Sequence, residues 1–214
     1  MIEVKQIKNA PIDSNCYVLF DKTVGDDCIV VDPGSEDNKS LYSFLIKEGL
    51  HPQYIILTHE HFDHCWGVND LRKTYSGVKM LCSSICSQAI QSRKHNHSVY
   101  HQQPGFEIEP AEIDVEDINW TLNWNHFTLK FHPAQGHTAA GVIFTIGGYL
   151  FTGDELIKDI RTVTKLRTGS KEKLIDSVGL LESIKGRGLA VCPGHGEMFM
   201  LDNYDLNIAS GFNK

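Results

Sequence analysis

THEHFDHCWG, Thr58 to Gly67, follows directly on the apolar run Tyr54-Ile55-Ile56-Leu57 and crowds His59, Glu60, His61, Asp63 and His64 into six positions. On a helix, positions two apart point to different sides, so His59, His61 and Asp63 could not share a target; the spacing predicts extended or loop geometry. The run begins where a buried strand ends, the rim at which open α/β sheets gather ligand-binding groups. Imidazole nitrogens and carboxylate oxygens suit zinc, iron or manganese. His64 adds a donor read as pointing away from the His59 and His61 pair. Glu60 and Phe62 are read as facing away from the ligands and supporting the loop.

Three more donors stand beside glycines at the ends of predicted strands: His137 in AQGHTAAG, Asp154 in LFTGDEL and His195 in CPGHGEM. Glycine permits tight turns and close backbone approach, so these loops are expected to aim at one site. His59, His61, Asp63, His64, His137, Asp154 and His195 are seven donors. That is too many for one four-coordinate metal and about right for two ions sharing a bridging carboxylate.

Around these donors the chain reads as an ordinary globular protein of 214 residues, 41% hydrophobic and 22% charged, long enough for a core without disulfides. Six scattered cysteines form no C-x-x-C pair, which favours reduced thiols in the cytoplasm. A net charge of −7 without a basic cluster argues against nucleic acid. The polar start MIEVKQIKNAPIDSN and the lack of a long apolar run argue against export and membrane insertion.

Strands are predicted at IEVKQI, CYVLF and CIVVD, antiparallel to one another, then at YIIL, KMLC, HFTLKFH, GVIFTI, YLF and LAVCP. Helices are predicted over Asn38 to Glu48 with Gly49 as C-cap, Gly67 to Tyr75, Ser83 to Ser92, and Lys171 to Lys185. From Lys94 to Asn123 no period is clean. With no repeat or linker, the expectation is one domain over residues 1–214, α/β (α+β), with two packed sheets and helices outside.

T-H-x-H-x-D-H-x-x-G with the later G-H-T, T-G-D and P-G-H-G resembles the metallo-β-lactamase fold superfamily of metallohydrolases over nearly the whole chain. Asn15-Cys16-Tyr17 and Asp32-Pro33-Gly34 resemble its glyoxalase II-like branch. The resemblance implies a four-layer αβ/βα sandwich with the metal site at the edge between two mixed β-sheets. It implies a first metal on His59, His61 and His137, a second on Asp63, His64 and His195, and Asp154 bridging. The cofactor expected is two divalent metal ions, zinc first, with iron or manganese as options.

Two ions about 3.5 to 4 Å apart can hold a bridging water whose pKa falls towards 7, giving hydroxide at neutral pH. The expected reaction is hydrolysis of an ester or thioester in a small molecule, with Asp63 as the catalytic group that orients the water or carries its proton. Only 19 residues follow His195, so the helical region that serves glutathione in longer glyoxalase II enzymes is expected to be missing. After T-G-D, Lys158-Asp159-Ile160-Arg161 replaces the usual Gly-Arg pair. Arg161, Lys165 and Arg167 are candidates to attract an anionic thioester, with a solvated loop as the competing explanation.

Other activities are weighed on the same residues. One iron on His59, His61, His137 and Asp154 would make a persulfide dioxygenase-like enzyme; lactone hydrolysis uses the same route. β-Lactam, nuclease and non-catalytic roles rank lower. The histidine-rich run from Lys94 to His101 is expected to be a flexible segment near the entrance rather than a third metal site. Cys65, Cys82 and Cys86 are expected in the core; Trp66, Trp120 and Trp124 are core or pocket wall. Oligomeric state is not legible in the sequence.

Overall fold

The first three apolar runs form β1 (Glu3–Lys8), β2 (Asn15–Phe20) and β3 (Asp27–Val31), antiparallel to one another as expected. The computed structural model describes residues 1–115 and 120–211. Within these, residues 1–115 and those from 116 onward make two compact units.

In the first unit the chain leaves β3 through α1 (Lys39–Glu48), capped by Gly49 at φ 61°, and returns as β4 (His51–Ile56). Leu41 and Leu45 bury one face of α1 while its lysines stay outside. A helical crossover of this kind yields a parallel pair, and β4 runs parallel to β3. The ligand motif follows, with α2 (Phe62–Cys65) and α3 (Val68–Thr74). Next come β5 (Lys79–Ser83) and α4 (Ser84–Ala89), whose first turn is capped by Ser83 Oγ accepting from Cys86 N at 3.1 Å. After α5 (Ser98–His101), β6 (Ile113–Val115) closes the unit. The sheet order is β1-β2-β3-β4-β5-β6, antiparallel on one side and parallel on the other. β2 and all of β3 after Asp27 are buried throughout, the pattern of strands covered on both faces.

The second unit contains β7 (Thr121–Trp124), β8 (Phe127–Pro133), β9 (Val142–Ile146) and β10 (Tyr149–Gly153), an antiparallel meander. Then α6 (Lys171–Ile184) leads to β11 (Ala190–Pro193), parallel to β10, and β12 (Phe199–Met200). α7 (Asn207–Ser210) is the last element among the described residues. Phe131, Phe144 and Phe151 lie opposite one another on β8, β9 and β10, with ring centroids 5.0 and 4.6 Å apart. Each such aromatic pair adds about 0.5–1.5 kcal/mol beyond burial. Leu174, Ser177, Leu181 and Ile184 are the buried stripe of α6, which joins Ile143, Leu150 and Val191 in the unit's core. Both sheets are mixed.

Several details depart from the sequence reading. Asp63 and His64 are helical, because the backbone is extended only as far as His61 (φ −63°, ψ 144°) and coils from Phe62. Four residues are too few to show a period, and the two-apart argument fails where the backbone changes type. α4 is shorter than expected, and His126 lies in the turn between β7 and β8 while His132 is in β8. The stretch from Lys94 to Asn123 contains α5, β6 and part of β7, with residues 116–119 outside the described chain. In the segment from Lys94 to His101, Asn96 and Ser98 are buried, 0% and 2% exposed, while Lys94, Tyr100 and His101 are exposed. The six cysteines are free and buried. Among the described residues no helix is long and apolar enough to cross a membrane.

Candidate metal centre

Parallel strands bring their carboxyl ends side by side, and that is how the first unit assembles its donors. Val31 at the end of β3 is in register with Ile56 at the end of β4. Asp32 and Thr58 therefore emerge together although they are far apart in sequence. Asp32 adopts φ 49° and turns its carboxylate, 2% exposed, onto three donors. It accepts from Thr58 N at 2.8 Å, Thr58 Oγ1 at 2.6 Å and His64 Nδ1 at 3.1 Å.

This hub fixes the imidazole tautomers. His64 Nδ1 carries the proton that Asp32 accepts, so its lone pair is on Nε2, which stands 3.6 Å from Asp63 Oδ2. Thr58 Oγ1 spends its proton on Asp32 and so accepts from His59 Nδ1 at 3.0 Å. The lone pair of His59 is thereby on Nε2, 3.1 Å from His61 Nδ1. His64 does not point away from its neighbours as the sequence reading had it: its ring centroid is 4.2 Å from that of His59. The helical turn at Phe62 swings it back.

α2 is seated against the loop after β3. Ser14 Oγ donates to Asp63 O at 2.5 Å, and Gly67 N donates to Pro33 O at 2.7 Å. A Cβ on Gly34 would come within 1.6 Å of Asp63 O, so only glycine permits this approach. Glu60 is buried, and its carbonyl accepts from Cys65 Sγ at 3.4 Å. Phe62 stacks on His101 at 4.6 Å. Cys65 is a packed apolar side chain, fully buried, and burial pushes its thiol well up.

The second unit repeats the device. β8, β10 and β11 run in one direction, so His137 after β8, Asp154 after β10 and His195 after β11 leave the same sheet edge. Gly153 at φ 50° turns the chain beside β11, and Gly194 N, directly after that strand, donates to Gly153 O at 2.8 Å. One oxygen, Asp154 Oδ2, stands 3.6 Å from His137 Nε2 and 3.7 Å from His195 Nε2. His137 Nδ1 donates to Val163 O at 2.8 Å, which leaves its lone pair on Nε2 facing that carboxylate.

Glu155 binds the two loops together. Its carboxylate, 3% exposed, accepts from Gly136 N at 3.0 Å and His137 N at 2.8 Å. Burial pushes its carboxyl above the usual range, and the hydrogen bonds from Ser177, His137 and Gly136 pull it back. Neither Asp32 nor Glu155 carried a role in the sequence reading. The signal for Glu155 was its adjacency to Asp154, and for Asp32 its place at the end of a buried strand.

Arg161 lines a cavity of about 30 Å³ with His137, Asp154 and Val163. Its guanidinium lies on Gly211, where a Cβ would come within 2.4 Å of Nε. Lys165 and Arg167 are exposed and are not among the residues lining that cavity.

Two donors about 2.0–2.1 Å from one tetrahedral zinc stand roughly 3.3–3.4 Å apart. The separations of 3.1, 3.6 and 3.7 Å within each unit bracket that value. Buried imidazoles with assigned protons, beside buried carboxylates, are the donor set a divalent cation needs. The residues fit metal.

The family model described as "Metallo-beta-lactamase superfamily" matches residues 10–195. The "Probable metallo-hydrolase YqgX" of Bacillus subtilis is 27% identical over 209 residues, covering 95% of each chain. The "Hydroxyacylglutathione hydrolase" of Serratia proteamaculans is 30% identical over 178 residues, but that match spans 83% of this chain and only 61% of the relative. Among solved structures, the BLEG-1 B3 metallo-beta-lactamase superposes with a TM-score of 0.84 at 28% identity, covering 93% of this chain and 94% of that one.

Proposed function

The chain belongs to the metallo-beta-lactamase superfamily, and from that premise we propose that it is a metal-dependent hydrolase of small thioesters or esters. One metallo-β-lactamase-like domain over residues 1–214, working in the cytoplasm on a small-molecule substrate without nucleic acid, is the setting of this proposal. The observation that carries it is the assignment of protons: Asp32, Thr58 and Val163 hold His64, His59 and His137 with Nε2 lone pairs beside carboxylate oxygens or a second imidazole.

In this reading His59, His61 and His137 hold one divalent ion, Asp63, His64 and His195 hold a second, and Asp154 serves both. Such ions, zinc first, supply Lewis acidity and lower the pKa of water towards neutrality. Asp154 suits the shared role because a single oxygen is nearly equidistant from two imidazoles. Asp63, on α2 beside His64, orients the attacking water and holds its proton for the leaving group. Arg161, exposed at the rim of the His137–Asp154 cavity and beside Gly211, binds an anionic part of the substrate, and Lys165 adds long-range attraction. The hydroxyacylglutathione hydrolase relative supports a thioester substrate.

A second reading has one favourable observation: the B3 metallo-beta-lactamase matches at nearly full length on both chains, which the hydroxyacylglutathione hydrolase does not. The test is metal content of protein purified without added metal, followed by turnover of acyl-glutathione thioesters, lactones, a chromogenic cephalosporin and glutathione persulfide. Two ions per chain with thioester turnover lost on chelation supports the proposal. Cephalosporin turnover alone selects the second reading, and one iron with oxygen consumption on persulfide overturns both.

A further inference from the structure

We propose that His97 is a positioning residue that sets the plane of the His61 imidazole. The two rings stack with centroids 4.6 Å apart and planes 24° from parallel. Four residues later His101 stacks on Phe62 at 4.6 Å and 21°. α5 and its cap thus lay one ring on each of two consecutive residues of the ligand motif. His61 is 7% exposed and His97 is half-buried, so His97 covers the outer face of the His61 ring.

The backbone at His97 bears the mark of a constraint. It sits at φ 67°, ψ 2°, a left-handed conformation that few residues with a Cβ adopt, histidine more readily than most, and that local contacts can hold in place. Such contacts lie on both flanks. Asn96, fully buried, donates to Phe106 O at 2.9 Å and Ile90 O at 3.3 Å, and its Oδ1 accepts from Ser98 N at 2.9 Å. Ser98 Oγ accepts from Phe106 N at 2.9 Å, and Gly105 closes the turn so tightly that a Cβ there would come 2.8 Å from Ser98 Oγ. These contacts point the His97 ring at His61 and would serve no obvious purpose for a mobile surface loop.

An imidazole ligand can swing about its Cβ–Cγ bond, and its lone pair must aim at the ion. Stacking removes that freedom and keeps His61 Nδ1 turned towards His59 Nε2, 3.1 Å away. The effect is that of the outer partners of metal-binding histidines, exerted through a ring face instead of a hydrogen bond.

The inference rests on the metal reading above, and the experiment separates the two. Metal affinity, measured by competition with a chromophoric chelator, and the visible absorption of the cobalt(II)-loaded protein are compared for wild type, His97→Gly and His97→Phe. Thermal unfolding of the metal-free proteins is followed alongside. Glycine takes positive φ without strain, so His97→Gly should keep the fold while metal affinity falls roughly tenfold or more and the cobalt bands shift. His97→Phe, which keeps a flat ring, should stay within a few-fold of wild type. Unchanged affinity and cobalt spectrum in His97→Gly would overturn the inference, as would equal losses in both variants. A wild-type protein that binds no metal would instead sink the metal reading itself, and this inference with it.

Discussion

Replacing Asp32 by asparagine should reverse the protons on two imidazoles at once. The backbone N–H of Thr58 cannot turn away, so the amide oxygen of the substituted side chain must take the place of Oδ1, which accepts that N–H at 2.8 Å. The amide nitrogen then occupies the place of Oδ2, facing Thr58 Oγ1 and His64 Nδ1. A donor now meets His64 Nδ1, so this nitrogen must become the acceptor and the proton moves to Nε2. Thr58 Oγ1, now accepting from the amide, turns its own proton to His59 Nδ1, and the same reversal follows there. A hydrogen bond to a charged group contributes about 1.5–3 kcal/mol. Recovering the ligating tautomer of His64 sets its Nδ1–H against the amide N–H and leaves a buried donor unsatisfied, about 1–3 kcal/mol, which converts to roughly a 5- to 150-fold loss of metal affinity. Three charge-assisted bonds become neutral ones, so the metal-free protein should lose about 3 kcal/mol. Nitrogen-15 NMR of the imidazoles in metal-free protein reads the tautomers directly, chelator competition reads the affinity, and urea unfolding the stability. Wild-type tautomers together with wild-type affinity in Asp32→Asn would refute the reasoning.

Gly34→Ala places a methyl group 1.6 Å from Asp63 O, so α2 must shift; a loss of about 1–3 kcal/mol by urea unfolding, with weakened metal binding, is expected. Glu155→Ala leaves the buried N–H groups of Gly136 and His137 without their acceptor, costing about 1–3 kcal/mol for each; thermal unfolding should show it, and a variant as stable as wild type would remove Glu155 from this role. All six cysteines are buried, and burial pushes the thiols of Cys16, Cys28, Cys65, Cys86 and Cys192 up; iodoacetamide at neutral pH should label none of them in the folded protein and all of them in urea, as read by mass spectrometry.

The donors themselves were legible because ligation demands residue types that the sequence displays openly: His59, His61, Asp63 and His64 in one motif, and His137, Asp154 and His195 beside glycines. Strands β1 to β5 and β8 to β11 were legible as apolar runs, whereas β6, β7 and β12, two to four residues long, were not; α1 and α6 were legible as helical periods, α1 with Gly49 as its C-cap. Asp32 as a proton-assigning hub was not, because its role depends on the parallel register that sets Val31 against Ile56, a fact of pairing and not of local pattern. α2 and α5, four residues each, are shorter than any period that could announce them. The His97 stack was missed for a related reason. It needs a left-handed residue at a position where nothing in the sequence calls for glycine.

The strand order of the two sheets also bears on how the chain is made. In each sheet every hydrogen-bonded neighbour is the next or previous strand in the chain, so no strand waits for a distant segment to fill a gap beside it. All six strands of the first sheet lie before residue 116. At about 5–20 residues per second, synthesis of the rest occupies roughly 5 to 20 seconds. Asp32, Thr58, His59, His61 and His64 can therefore take up their hydrogen bonds while His137 is still inside the ribosome. Nascent chains arrested near residue 150 would then compete with a chelator for zinc, whereas the same chains carrying Asp32→Asn would compete less well.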